Sequence, residues 1–314
     1  MRGALAGSVE RGFPSGPWVL VLGMHRSGTS ALTGALGRLG VGLPAPGDLV
    51  TGRYDNPVHY ESGALTDLDD AVLGALGGSW SAPPAMPAGW ERSSPVLAVT
   101  TAAAAAARRA FPGDGPVAWK DPRLCLLLPL WRGLLPAPVV TVLLWREPTA
   151  VARSLRARQG FPLSLGLALW ERYTREALCA LAGHEAYVLR YEDLVGDPRA
   201  TVAGVAHWLA DGRAPVVADD AALAAAAGTV SEGRGATDGA AEVPPVLMEA
   251  MATLTRLRGA QATMPACEAA APPAWMDDAI AQRADYEDLY ARYMRYVRWR
   301  RRIPVLGRAV RRGR

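Results

Sequence analysis

Lysine is almost missing from this chain of 314 residues. Of 34 basic residues, Lys120 is the only lysine. Abundant Ala, Gly, Pro and Arg fit a GC-rich coding bias that favours arginine. A single lysine kept against that drift marks a position where a compact ammonium is needed rather than a planar guanidinium, with chance as the alternative. Long apolar runs are missing too. The best candidate, "LLPAPVVTVLLW", is broken by Pro136 and Pro138, and no stretch is long enough to span a bilayer. The first residues, "MRGALAGSVERGF", lack the apolar core of a signal peptide. The expectation is a cytoplasmic protein. Cysteine is scarce: Cys125, Cys179 and Cys267 lie far apart and form no CxxC pair. An odd count argues against a disulfide framework. His25, His59, His184 and His207 are equally scattered, so no metal site is expected.

Acidic residues are absent from one region only. Between Arg292 and Arg314 there are ten arginines and no acid. Removing those ten leaves 24 basic against 30 acidic residues, a net charge of −6 for the rest. The overall charge of +4 is therefore a property of the tail. It does not make the chain as a whole a nucleic-acid binder.

What is present is an alternation of short apolar runs and helical periodicities. "WVLVL" (18–22), "VAW" (117–119), "VVTVLLW" (139–145) and "AYVLRY" (186–191) read as strands, continuous enough to be covered on both faces. Helices are expected from Thr29 to Leu39, over "LTDLDDAVLGALG", over 95–110, after Pro148, over 163–181 and after Asp197, a candidate N-cap with Pro198 behind it. Such alternation implies an α/β fold, a parallel sheet flanked by helices. Ligands in such folds sit beyond the carboxyl ends of the strands. That directs attention to loops 23–30, 120–123, 146–148 and 192–196. Residues 1–16 read as a flexible lead-in, 17–212 as the α/β core, and 213–275 as Ala/Gly/Pro-rich loops and helices completing it. Residues 276–314 form a basic C-terminal helix and tail.

The stretch "VLVLGMHRSGTSALTGAL" (19–36) is a strand, a glycine turn and a helix. Backbone N–H groups and the helix dipole converge there on an anion. Arg26 adds a forked donor, and Ser27, Thr29 and Ser30 add hydroxyls. Gly23 and Gly28 have the spacing of a nucleoside-triphosphate loop, but Thr29 stands where that loop carries lysine. ATP and GTP chemistry uses that lysine with Mg²⁺ against the charge of the terminal phosphates. A sulfuryl group carries less negative charge, so its transfer tolerates the loss.

At this point the chain resembles the sulfotransferases that use 3′-phosphoadenosine 5′-phosphosulfate (PAPS), bacterial members included. "GMHRSGTS" looks like their 5′-phosphosulfate loop, usually Pro-Lys/Arg-Ser-Gly-Thr-Thr/Ser, with His25 in place of the proline. "LLWREPTAVARSL" resembles the element whose arginine and serine, eight residues apart, grip the 3′-phosphate; here they are Arg146 and Ser154. "LRYEDLVGDPRATVAGVAHWLA" looks like the family's Tyr-Glu-Asp-Leu strand exit, which places Tyr191 near the adenine. "WKDPRLC" is similar to a Lys-Asp-Pro segment of bacterial and tyrosylprotein members. The matches cover 18–210. The late basic-glycine loop that helps hold the 3′-phosphate has only "SEGRGATD", with Arg234, as a candidate. The resemblance implies a three-layer P-loop-type fold with a C-terminal helical extension. It also implies PAPS as donor without a required metal, and a hydroxyl-bearing carbohydrate, glycolipid or secondary metabolite as acceptor.

Such chemistry needs a base at the acceptor hydroxyl and cations at the sulfuryl group. "NPVHYES" (56–62) resembles an Asn-Pro…Trp-Glu-Ser motif of related members. Glu61 is the first candidate base and His59 the second. The alternatives are a carboxylate favoured by the dipole at a helix N-terminus and an ordinary loop histidine. Lys120 is the candidate cation, or else a surface partner of Asp121. Asp67, Asp69 and Asp70 read as a solvated helix face. Tyr286, Tyr290, Tyr293 and Val297 form a stripe expected to pack on the domain. The arginine tail is open to an anionic membrane surface, an acidic partner or, with its interleaved aromatics, nucleic acid, of which the first two are the expected partners. Two rivals remain: a P-loop small-molecule kinase, and a non-catalytic nucleotide- or glycan-binding protein.

Overall fold

All five residues of the first strand, β1 (Trp18–Leu22), are fully buried, because apolar side chains leave both of its faces. Trp18, Leu20 and Leu22 enter one core, Val19 and Val21 the other. The computed structural model describes residues 12–51, 58–136, 138–230, 243–267 and 271–302. In chain order β1 leads to α1 (Thr29–Arg38), then to β2 (Leu49–Thr51) and β3 (Val58–Ser62), an antiparallel pair. Next come α2 (Gly63–Ala75), α3 (Ser94–Thr100), α4 (Ala103–Ala110), β4 (Val117–Lys120) and α5 (Leu124–Leu134). They are followed by β5 (Val139–Trp145), α6 (Pro148–Gln159), α7 (Leu163–Leu181), β6 (Ala186–Arg190), α8 (Tyr191–Gly196) and α9 (Pro198–Ala210). The chain continues through α10 (Asp220–Ala227), α11 (Pro245–Arg256), β7 (Gly259–Gln261) and α12 (Ala274–Arg302).

The main sheet has the order β4-β1-β5-β6-β7. Its first four strands are parallel, and β7 runs antiparallel at the edge. Helices α1, α9 and α10 fill one face through Leu32, Leu36, Val205 and Leu223. Helices α2, α5 and α7 fill the other through Val72, Trp131 and Trp170. The result is the expected α/β architecture, a mostly parallel sheet between two helical layers. The loops after β1, β4, β5 and β6 therefore open along one edge of the sheet.

Local signals hold at the helix starts. Glu147 caps α6, accepting from the N–H groups of Thr149 (2.9 Å) and Ala150 (2.7 Å). Asp197 caps α9, accepting from Ala200 N–H at 3.0 Å. Several expectations are corrected. The helix over 95–110 is two helices. Residues 58–62 are a strand, so Glu61 is not a helix-terminal carboxylate; Ser62 is the N-cap of α2. Cys179 and Cys267 are joined in a disulfide across 88 residues. Pairing of β7 with β6, and a bridge from Met264 to Ala182, carry 264–267 alongside the end of α7. Asp69 is fully buried rather than solvated, receiving Trp131 Nε1–H at 2.8 Å. The tyrosine stripe of α12 is not packed: Tyr286, Tyr290 and Tyr293 are all more than half exposed. Its root alone is held, through Met276 and Ile280. No helix among the described residues is long and apolar enough to cross a membrane.

Candidate functional site

The loop after β1 needs glycine at two places. A Cβ on Gly23 would lie 2.2 Å from the carbonyl oxygen of Leu144, because the loop leaves the sheet hard against β5. Gly28 has φ 88°, and a Cβ there would lie 2.2 Å from the Tyr191 ring. Arg26 also adopts a left-handed conformation, φ 72°, which costs a non-glycine residue about 1 kcal/mol or more. Ser27 N–H closes the turn on Met24 O at 3.1 Å. Gly28 supplies no side-chain cap, and the first turn of α1 carries no acid. Its leading N–H groups are therefore available to an anion. Below the loop, Cys125 Sγ accepts Gly23 N–H at 3.2 Å. Burial pushes that thiol up to about 12, so it serves as an inert acceptor.

Three chain-distant elements meet this loop. Arg26 Nε donates to Ser154 Oγ at 2.8 Å, from loop to α6. Arg146, at the end of β5, donates from Nη1 to the carbonyl of Arg26 at 3.2 Å. Its guanidinium lies 4.3 Å from the centre of the Tyr191 ring. The carbonyl of Arg146 is in turn held by Trp170 Nε1–H at 2.8 Å. Arg26, Ser154, Arg146 and Tyr191 thus form one cluster with Gly28. Two of its polar atoms, Ser27 Oγ and Arg146 Nε, are buried with no partner among the described residues. Buried donors left in that state cost about 1–3 kcal/mol each. Each could be satisfied by an anion, and the donor set of guanidinium, hydroxyl and helix N–H suits phosphate. Thr29 is buried and packs its methyl towards Gly23. Ser30 donates its hydroxyl to the carbonyl of His59 at 3.1 Å, which ties β3 to the loop.

One strand over, Lys120 ends β4 as expected. It is buried, and it pairs with Glu61 rather than Asp121. Asp121 belongs to a separate network. Arg123 grips Asp70 with two bonds, 2.6 and 3.0 Å, and Asp121 with a third of 3.1 Å. Thr66 Oγ1 donates to the other Asp121 oxygen at 3.0 Å. Burial opposes the Arg123 charge, but Asp121 and Asp70 outweigh it and hold the group protonated far above its ordinary value. Burial, then the Asp121 charge, raises the Asp69 carboxyl well above 3.8.

Sequence reasoning missed the wall of the site. His25 packs on Trp80 (ring centres 4.5 Å) and Tyr173 (5.9 Å). Its Nε2 is buried with no partner among the described residues. Burial, then the charges of Arg123, Lys120 and Arg26, hold it neutral, well below 6.5. Its place beside Arg26 in the loop was the only signal; Trp80, in a Pro/Ser-rich loop, had none. His59 is half-buried and also lowered by burial, with Glu61 opposing. Arg234 lies outside the described residues. A cavity of about 400 Å³ between α7 and α11, lined by Arg175, Glu249, Met264 and Cys267 among others, contains none of the expected residues.

No family model matches the chain, and no curated protein does. Solved structures similar to it include two sulfotransferase domains. One is the sulfotransferase domain from the Synechococcus PCC 7002 olefin synthase, 19% identical, covering 87% of this chain and 96% of that one, with a TM-score of 0.42. The other is the sulfotransferase domain from the curacin biosynthetic pathway, 13% identical, covering 85% and 97%, with a TM-score of 0.40. At such values the chemistry must be argued from the site itself.

Proposed function

We propose that the chain is a sulfotransferase that moves a sulfuryl group from PAPS to a hydroxyl of a carbohydrate, glycolipid or secondary metabolite. The observation that carries this reading is the single cluster of Arg26, Ser154, Arg146 and Tyr191 around an uncapped helix start. A donor with phosphates at both ends needs two anion sites on either side of one nucleoside. The loop 26–30 takes the 5′-phosphosulfate through N–H groups, Arg26 and Ser27. Arg146 and Ser154 take the 3′-phosphate, and Tyr191 lies beside the adenine. Arg234 is a further candidate for the 3′-phosphate.

In the transfer, the acceptor oxygen attacks sulfur and its proton passes to Glu61, with His59 the second candidate for that proton. The bond from sulfur to the bridging oxygen breaks, and its electron pair leaves on the 5′-phosphate. Lys120 stands beside Glu61 and meets the charge that develops on the sulfuryl and bridging oxygens. No step requires a metal, because the sulfuryl group brings less charge than a phosphoryl group.

Calorimetric titration tests the reading. 3′-Phosphoadenosine 5′-phosphate should bind equally with and without Mg²⁺, and ATP with Mg²⁺ should bind far more weakly. Tight ATP–Mg²⁺ binding with no binding of the bisphosphate would assign the loop to a kinase.

A further inference from the structure

We propose that the distal half of α12 docks this protein onto an anionic lipid bilayer. The root of the helix is fixed. Arg283 lies over the Phe161 ring at 4.7 Å and donates to Ser81 Oγ at 3.2 Å. Glu287 accepts from Ser79 Oγ at 2.7 Å. From there the helix presents Tyr286, Leu289, Tyr290 and Tyr293 to solvent, with exposures of 56, 66, 54 and 58%. A turn of about 100° per residue puts these four within an arc of about 100°, and Met276, Ile280, Arg283 and Glu287 on an adjacent face. The apolar arc is therefore separate from the surface that the domain covers. Isolated exposed apolar residues need no explanation, but a contiguous aromatic arc does.

The charge pattern identifies the occupant. The same rotation places Arg292, with Asp285 beside it, on one side of the arc and Arg298 on the other. The helix runs from acids (Asp285, Glu287, Asp288) to bases, with six arginines from Arg292 to Arg302 and four more in 303–314. An aromatic face bordered by arginines is the build of a helix that lies in a membrane interface. Tyrosine suits that depth, with an apolar ring and a polar tip. Leu289, at one edge of the arc, would gain nothing from a phosphate backbone. Tyr286 and Tyr290 stack on each other at 6.3 Å, which occupies ring faces that a nucleobase would need. Of the acids, Glu287 is turned to the domain, and Asp288 lies opposite the arc, paired with Arg292 at 2.6 Å.

Vesicle flotation of the full chain, with no nucleotide present, tests this apart from the proposed reaction. Vesicles of phosphatidylcholine alone are compared with vesicles about one-third phosphatidylserine. The anionic vesicles should bind at least about tenfold more tightly, and most of that gain should vanish in about 0.5 M salt. Tyr290→Ser with Tyr293→Ser should weaken binding about tenfold and leave the melting temperature unchanged. Arg292→Gln with Arg298→Gln should cost about 10–30-fold on anionic vesicles alone. Equal binding to both vesicle types would overturn the proposal, as would a tyrosine variant that binds like the wild type. A homodimer in vesicle-free solution that the tyrosine changes dissociate would assign the stripe to a second copy. Binding of a nucleic-acid duplex that outcompetes the vesicles would assign it there. None of these results bears on the donor site.

Discussion

Two arginine clusters lie at the same edge of the sheet, and they differ in whether they are closed. Arg123 is closed: among the described residues its guanidinium bonds end on Asp70 and Asp121, and Thr66 completes the second carboxylate. The cluster of Arg26 and Arg146 is open, with Ser27 Oγ and Arg146 Nε buried and unpartnered among the described residues. A closed network holds a fold together; an open one holds donors ready for a ligand at a cost in stability. The number of charges does not separate the two. Whether the charges are satisfied does.

The largest effect should come from breaking the closed side. Arg123→Met leaves the fully buried Asp121 charge without its partner and should cost about 3–5 kcal/mol in urea unfolding. Nucleotide affinity of the molecules still folded should stay near that of the wild type. A stability loss under about 1 kcal/mol would show that the network is not closed in solution. Glu61→Gln tests the pair that lies between the two clusters. Turnover should fall by roughly 10²–10⁴-fold, while 3′-phosphoadenosine 5′-phosphate binds nearly as before. Because the change also leaves Lys120 a buried cation without its carboxylate, the double variant Glu61→Gln with Lys120→Met should recover stability and not turnover. Unchanged turnover in Glu61→Gln would remove Glu61 from the reaction.

On the open side the pattern should reverse. Arg146→Gln should weaken nucleotide binding by about 1.5–3 kcal/mol, and Ser154→Ala by about 1–3 kcal/mol, both read by calorimetry. Arg146→Gln should destabilise the fold far less than Arg123→Met, since with its one bond to the Arg26 carbonyl it also removes a buried Nε that the described residues do not satisfy. A smaller, pH-dependent effect belongs to Asp69. Its folded carboxyl titrates well above the unfolded value of 3.8. The stability it contributes is fully present below that value and is lost as pH rises through the folded one. Asp69→Asn keeps the acceptor for Trp131 and should be more stable than the wild type at pH 8, by a margin that shrinks as pH falls towards 4. A margin constant with pH would mean that Asp69 titrates normally.

What could be read in the sequence was what a short window carries. The apolar runs 18–22 and 139–145 announce their own burial on both faces, and Pro148 and Pro198 mark helix starts. The loop glycines and the eight-residue step from Arg146 to Ser154 are local too. Residues that depend on distant partners were illegible. Glu61 lies on a strand only because β2 pairs with β3. The Cys179–Cys267 bond needs 88 residues of chain to return to the end of α7. Asp69 is buried because Trp131 arrives from another helix. The tyrosines of α12 have a helical period, which gives their face but not whether anything covers it.

The central claim is that the open cluster is one clamp for a nucleoside with two phosphates. A crystal structure with 3′-phosphoadenosine 5′-phosphate tests it most directly. The 3′-phosphate should lie within about 3.2 Å of both the Arg146 guanidinium and Ser154 Oγ, with the 5′-phosphate on the N–H groups of 26–30. A bisphosphate bound with its 3′-phosphate turned away from Arg146 and Ser154 would contradict the account.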